Sequence, residues 1–345
     1  MSIGDAFVAT QPKRINLALQ GGGAHGAFTW GVLDWLLEDE RFEIDGVTGT
    51  SAGAMNAIVL ASGHEKGGNA GAREALDTFW REISRQAFFS PIKRSPVDIA
   101  LGEWSLDYSP SYLAFDLISR FSSPYEFNPL NINPLRDVVD SVVDFDAVHE
   151  CSGLKIFVAA TNVYTGKIRV FSEKDVTLDA VMASACLPHL FQAVEIDGEP
   201  YWDGGYMGNP PLYPLFYETN TPDVILVQIN PMERRETPRT AREILNRLNE
   251  ITFNSTLTRE LRAVDFVGRL IEEGKLSRQD YMKVHFHRID GEELKPLQAS
   301  SKVNAEWEFL SELKAIGRRA AERWVAENFE AIGEKSTVDL RTEFA

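Results

Sequence analysis

The 345-residue chain has only two cysteines, Cys151 and Cys186. Two thiols without C-x-x-C spacing cannot build a disulfide framework, so they read as reduced thiols of a cytosolic protein. Positive charge is also scarce, with 35 Lys and Arg against 51 Asp and Glu and a formal net charge of −16. That balance argues against non-specific binding to nucleic acid phosphates and against broad docking on anionic membranes, leaving room only for a local basic patch. No apolar run approaches the roughly 18 residues of a membrane span, and even 52–61 is interrupted by Asn56. The N-terminus places Asp5 early and has no basic start followed by an apolar stretch, so it does not read as a secretory signal. The expectation is a cytoplasmic, soluble protein. With 44% hydrophobic and 25% charged residues, disorder, collagen and coiled coil are excluded.

The first ten residues read as a loose arm. An apolar strand at 15–19 runs into Gln20 and three glycines, and a helix over 24–37 carries Phe28, Val32 and Trp35/Leu36 at helical spacing. A short strand at 47–48 and a helix over 52–61, stopped by Ser62-Gly63, repeat the pattern; 64–75 read as a loop leading into another helix. Strand, glycine loop and helix twice in succession predict an α/β fold with a parallel sheet.

Residues 88–134 differ. Six prolines (91, 96, 110, 124, 129 and 134) argue against long helices. Trp104, Tyr108, Tyr112, Phe115, Phe121, Tyr125 and Phe127 argue against a solvated linker. The stretch reads as an ordered insertion packed over something: a lid, a pocket wall, an oligomer contact or a cap on the sheet. Downstream, strands are expected at 155–161 and 167–171, and a helix over 178–186 capped by Thr177. A hairpin around Asp197-Gly198 follows, with buried strands at 224–229 and 282–286. Long amphipathic helices cover about 240–273 and 304–331.

Gly21-Gly22-Gly23-Ala24-His25-Gly26 admits three readings. It contains G-x-G-x-x-G between strand and helix, with Asp45 or Glu43 about 20 residues on, as in a dinucleotide site using Gly21, Gly23 and Gly26. It is equally an oxyanion hole, in which unpaired N–H groups at a helix start face a developing negative charge. It could also be a turn without a ligand. The loop alone does not decide.

Gly49-Thr50-Ser51-Ala52-Gly53 is G-x-S-x-G between a strand and a helix, a pattern expected by chance about 0.1 times in such a chain. A nucleophilic serine on a strained turn needs small neighbours, which Gly49 and Gly53 supply. Its base is not an obvious histidine. His25 is in the glycine loop, His64 in a polar loop, and His149 just before a strand. His189 reads as a core or pocket residue, and His285 and His287 as alternate positions on a half-solvated strand face. Asp203, in Tyr201-Trp202-Asp203-Gly204-Gly205, is better placed. Its glycines admit close backbone approach, and apolar neighbours could raise its pKa towards that of a base. Asp-Gly as a plain hairpin turn explains that segment equally well in isolation.

Glycine loop, GTSAG and DGG in this order resemble the patatin-like phospholipase family. The resemblance runs over 15–229 and includes Ser184, Pro188 and Phe191 in ASACLPHLF, and Asn209-Pro210. It implies a three-layer α/β/α fold with a largely parallel central sheet. It further implies Ser51 as nucleophile, Asp203 as its dyad partner, and an oxyanion hole from the main chain of Gly22, Gly23 and Ala24. The implied reaction is hydrolysis of lipid acyl esters without metal or nucleotide. Partners would be the lipid substrate, with transient membrane-surface contact and optional self-association. One departure is His25 where many relatives carry arginine, which exchanges a permanent cation for a group that ordinarily titrates near neutrality. The whole chain, 1–345, reads as one domain: core motifs at 15–229, the insertion at 88–134, and C-terminal helices with the last strand at 240–345. Two other readings stay open: a nucleotide-binding α/β protein, and a non-catalytic lipid-binding or regulatory protein of the same fold.

Overall fold

The computed structural model describes residues 11–88 and 90–344; the N-terminal arm lies outside them. β1 (Lys13–Leu19), β2 (Phe42–Gly49), β3 (Lys155–Asn162), β4 (Ile168–Ser172), β5 (Val194–Ile196), β6 (Glu199–Asp203), β7 (Asp223–Gln228) and β8 (His285–Asp290) form one sheet. Its order is β5-β6-β3-β2-β1-β7-β8, with β4 paired to β3. The five central strands β3-β2-β1-β7-β8 are parallel, while β4 and β6 each pair antiparallel with β3, and β5 pairs antiparallel with β6.

Alternation along the strands explains the layers. Leu17, Leu19, Ile225 and Val227 face one side, and Ala18, Val224 and Leu226 the other. Both faces are apolar, so each requires a helical cover. The first is covered by α1 (Gly26–Glu38), α2 (Ala52–Ala87) and, from the far end of the chain, α11 (Trp307–Asn328). The second is covered by α9 (Tyr213–Glu218), α10 (Ala241–Glu272) and α12 (Leu340–Phe344). The result is the expected three-layer α/β/α arrangement.

Several expected boundaries move. β2 begins at Phe42 rather than 47, because its polar first half lies at the rim, where Glu43 pairs with Arg14 of β1 at 2.7 Å. α2 does not end at Ser62-Gly63. It continues to Ala87 across a two-residue break at Gly67 and Gly68, so the expected loop over 64–75 is only a kink. The last strand is His285–Asp290, three residues beyond the expected start.

The prolines of the insertion start its helices, the longest of which has 12 residues. Pro96, Pro110, Pro124 and Pro134 are the first residues of α3 (Pro96–Ala100), α4 (Pro110–Phe121), α5 (Pro124–Phe127) and α6 (Pro134–Val142). Each follows an N-cap: Ser95, Ser109, Ser123 or Asn133. At that position proline loses no hydrogen bond and its φ is already helical. α7 (Phe145–Glu150) then leads into β3, and α8 (Leu178–Ser184) carries the expected Thr177 cap.

The expectation that the insertion is packed holds only in part. Trp104 stacks on Phe309 of α11 at 5.1 Å, but α4 buries none of its residues. Leu117, Ile118 and Phe121 stand in solvent, with Phe121 84% exposed.

Candidate active site

The carboxyl ends of β1, β2, β6 and β7 meet at one edge of the sheet, where open α/β sheets place their ligands. β2 ends at Gly49, and the chain turns through Thr50 and Ser51 into α2. Ser51 sits at φ 55, ψ −122, a left-handed conformation costly for a side-chain-bearing residue. Thr50 donates from Oγ1 to the Gly208 carbonyl at 2.6 Å, and the Ser51 N–H donates to Ser184 Oγ at 2.9 Å. The turn is thus fastened to two remote segments, and Ser51 itself remains partly accessible.

The glycine loop follows β1 and passes directly over this turn. A Cβ on Gly21 would lie 2.7 Å from Ser51 Cβ, so only glycine allows the approach. The Gly21 N–H donates to Asn209 Oδ1 at 2.7 Å. The next residues enter a single 3₁₀ turn, Gly23–His25, ahead of α1. The N–H groups of Gly22, Gly23 and Ala24 therefore precede any intrahelical acceptor.

Asp203 closes the third side. It ends β6, is 1% exposed, and accepts the Gly205 N–H at Oδ1 at 2.7 Å. The Phe253 ring of α10 lies over Gly205, 2.2 Å from where a Cβ would stand, and Tyr206 packs on the same ring. Burial pushes the Asp203 pKa up to about 7, against the downward pull of the Gly205 N–H and of the Ser51 hydroxyl that faces it. Oδ2 has no hydrogen bond of full geometry among the described residues. Burial and the neighbouring Asp203 charge push Tyr206 and Cys186 up to about 12, so both stay protonated.

No histidine among the described residues hydrogen-bonds Ser51 or Asp203. His189 is exposed, not a core or pocket residue. His287 is fully buried rather than half-solvated; its Nε2 lies 2.9 Å from Asp223 Oδ1, and His285 approaches the same carboxylate at 3.5 Å. Asp223 and His285 begin β7 and β8, so this cluster lies at the opposite end of the strands from Ser51. His25 is buried against Ser301 and Phe309. Burial, aided by the Lys302 charge, lowers its pKa to about 3. The expected titration of His25 near neutrality is therefore absent, and it is a neutral packing group.

The nucleotide reading also fails. Asp45 lies four residues before the end of β2, about 13 Å below the loop at strand rise. Its Oδ2 accepts the Asn220 N–H at 2.6 Å. Among the described residues no group of three or more His, Cys, Asp or Glu side chains could hold a metal ion.

The family model for patatin-like phospholipase matches residues 17–216, more than half of the chain. The chain belongs to the patatin-like phospholipase family. Among curated relatives, a cGAMP-activated phospholipase of Escherichia coli strain TW11681 is 27% identical over 235 residues, 61% of this chain and 56% of that protein. The uncharacterised protein YjjU of Escherichia coli K12 is 25% identical over 201 residues, 56% of this chain and 46% of that protein. The chain thus spans about half the length of the curated relatives it matches. Among solved structures, VipD of Legionella pneumophila aligns at 16% identity and TM-score 0.33, covering 88% of this chain and 67% of that one. ExoU–SpcU of Pseudomonas aeruginosa aligns at 19% and 0.32, covering 72% and 51%. Among the described residues no helix is long and apolar enough to cross a membrane.

Sequence reasoning missed the supports of the site. Asn230, whose Nδ2 donates to the Gly21 carbonyl at 2.7 Å, follows directly after a buried strand, a visible signal, but Lys302, packed on Gly23, and Phe253 lie in loop and helical sequence without any motif.

Proposed function

We propose that this protein hydrolyses acyl esters of lipids through a Ser51 acyl-enzyme, with Asp203 as base and the Gly22, Gly23 and Ala24 N–H groups as oxyanion hole. The observation that carries this reading is a strained, partly accessible serine facing a buried carboxyl group whose pKa lies near neutrality, beneath a loop of unpaired backbone donors. In the ionised state Asp203 accepts the Ser51 proton as Oγ attacks the ester carbonyl, and the loop donors hold the resulting oxyanion. The tetrahedral intermediate expels the alcohol, which takes the proton back from Asp203. A water then loses its proton to the same carboxylate, attacks the acyl-enzyme and releases the fatty acid, returning the proton to Ser51. No metal or nucleotide enters these steps.

The substrate class follows from family membership and from the surface. α4 turns Leu113, Leu117, Ile118 and Phe121 outward on one helical face, while its Asp116 and Arg120 pair with each other at 2.9 Å. An apolar, locally neutral face suits transient contact with a zwitterionic lipid surface. Fluorophosphonate labelling with peptide mapping tests the central claim. The label is expected on Ser51, and Ser51→Ala is expected to abolish both labelling and ester hydrolysis with an unchanged melting transition. A label on another serine, or hydrolysis by the folded variant, overturns it.

A further inference from the structure

Behind the glycine loop lies a buried polar chain from the C-terminal part of the protein, outside the matched family region. The peptide joining Gly21 to Gly22 is planar and trans, so its C=O and N–H point in opposite directions. The Gly21 carbonyl accepts Asn230 Nδ2 at 2.7 Å. The Gly22 N–H must therefore point away from Asn230. Asn230 is itself fixed: its N–H donates to Gln20 Oε1 at 2.9 Å, and its Oδ1 accepts Lys302 Nζ at 2.7 Å. The segment carrying Lys302 also touches the loop directly. The Lys302 carbonyl lies 2.4 Å from where a Cβ on Gly23 would stand, at φ +59. Ser301 Oγ gives its proton to the Gln298 carbonyl at 2.7 Å, so the 2.8 Å contact with His25 Nε2 is a donation from the ring.

We propose that Lys302 and Asn230 form a hydrogen-bonded relay that orients and strengthens the Gly22 N–H as an oxyanion donor. The inference rests on the oxyanion-hole reading above. A hydrogen bond to a peptide carbonyl polarises the N–H of the same peptide, and an ammonium at the end of the chain adds to that polarisation in a low-dielectric interior. His25, held neutral, supplies no charge to the loop, so Lys302 is the cation that backs it. The groups facing Lys302 are His25 of the glycine loop, which burial keeps neutral, Glu250 of α10, which favours its charge, and Arg234 before α10, which opposes it. Glu250 also pairs with Arg234 at 2.8 Å and with Arg247 at 3.0 Å. Burial holds the Lys302 pKa below the ordinary lysine range, with Arg234 acting the same way and Glu250 against it.

Both residues are positioning residues, and a double-mutant cycle on a soluble short-chain p-nitrophenyl ester tests them. Lys302→Met is expected to lower kcat about tenfold with KM nearly unchanged, and to remove an alkaline fall in activity that wild type shows as Lys302 loses its proton. Asn230→Ala is expected to cost at least as much, and Lys302→Met added to it to cost less than twofold more, because the relay is already cut. Lys302→Gln, which keeps a donor without charge, is the second variant if Met disturbs folding; it should retain the loop but lack the alkaline limb. Equal Lys302→Met losses in both backgrounds, a change confined to KM, or an alkaline limb that survives in the folded Met or Gln variant overturns the relay. Failure of the underlying reading would look different: wild type itself would not be labelled at Ser51.

Discussion

Ser184 Oγ accepts the N–H of Ser51 at 2.9 Å, across 133 positions of sequence. The amide of the strained turn is thus tied to the C-terminal end of α8, whose Ser184 is fully buried. Such an anchor fixes the height at which the serine hydroxyl stands relative to the glycine loop. Ser184→Ala removes that acceptor and should cost about 1 kcal/mol of stability, the usual cost of an unmade hydrogen bond at a partly buried site. The rate constant for fluorophosphonate labelling should fall about tenfold, since a small displacement of a nucleophile is expensive. A labelling rate equal to wild type would show that the anchor serves the fold alone.

The two strand histidines provide the control for a hidden triad. The chain order Ser51, Asp203, His285 is compatible with a hydrolase triad, but His285 and His287 gather around Asp223 at the far end of the sheet. His285→Gln is expected to keep most of the activity. His287→Gln should lower the melting temperature through the loss of buried bonds to Asp223 and Thr337, on the order of 1–3 kcal/mol, with kcat preserved in the folded fraction. A folded His285→Gln protein as inactive as Ser51→Ala would replace the dyad by a triad.

Much of this architecture could be read from local pattern. The strands 15–19 and 224–229 are apolar on both faces, Asp197-Gly198 takes the left-handed turn that its composition predicts, and Thr177 caps α8. GTSAG and DGG announced the two residues that the fold brings face to face. Errors arose where a residue's usual role depends on its position within an element. Prolines read only as a bar to long helices also open the short ones, because Ser95, Ser109, Ser123 and Asn133 stand immediately before them. Gly63 read as a helix stop lies inside α2, packed on Gly71 and Ala72. The supports of the site were invisible for another reason. Lys302 and Phe253 reach it only through long-range packing, and neither sequence neighbourhood carries a spacing that betrays a contact with residues 23 or 205.

The outward face of α4 should matter for lipid in aggregates and not for lipid in solution. Leu117→Ser combined with Phe121→Ser removes apolar surface that buries nothing in the fold, so the melting temperature should stay within about a degree. Hydrolysis of zwitterionic phosphatidylcholine vesicles should fall several-fold, while turnover of a soluble short-chain ester stays within twofold. Equal losses on both substrates would assign the face to the integrity of the site. Loss of a concentration-dependent dimer in sedimentation, with vesicle hydrolysis intact, would assign it to self-association.

Asp203 carries the prediction with a worked sign. Its folded pKa of about 7 lies above the ordinary aspartate value of 3.8, so the native state binds the proton more tightly than the unfolded chain does. Below the unfolded pKa both states are protonated and the group contributes no difference. As pH rises from about 4 to about 7 the unfolded chain ionises first, and native stability declines. Above 7 the decline levels off, with a carboxylate held in a site that disfavours its charge. Asp203→Asn keeps the shape, removes the proton acceptor and abolishes this penalty. It should therefore lower kcat by about 10²-fold or more. At the same time its melting temperature should exceed that of wild type at pH 8 by more than at pH 5, a gap worth on the order of a few kcal/mol. Wild-type kcat/KM should rise with pH through about 7 as the base forms, and that limb should vanish in the residual activity of the variant. A melting difference independent of pH, or an activity limb near pH 4, would show that Asp203 is ionised throughout and that burial does not set its base strength.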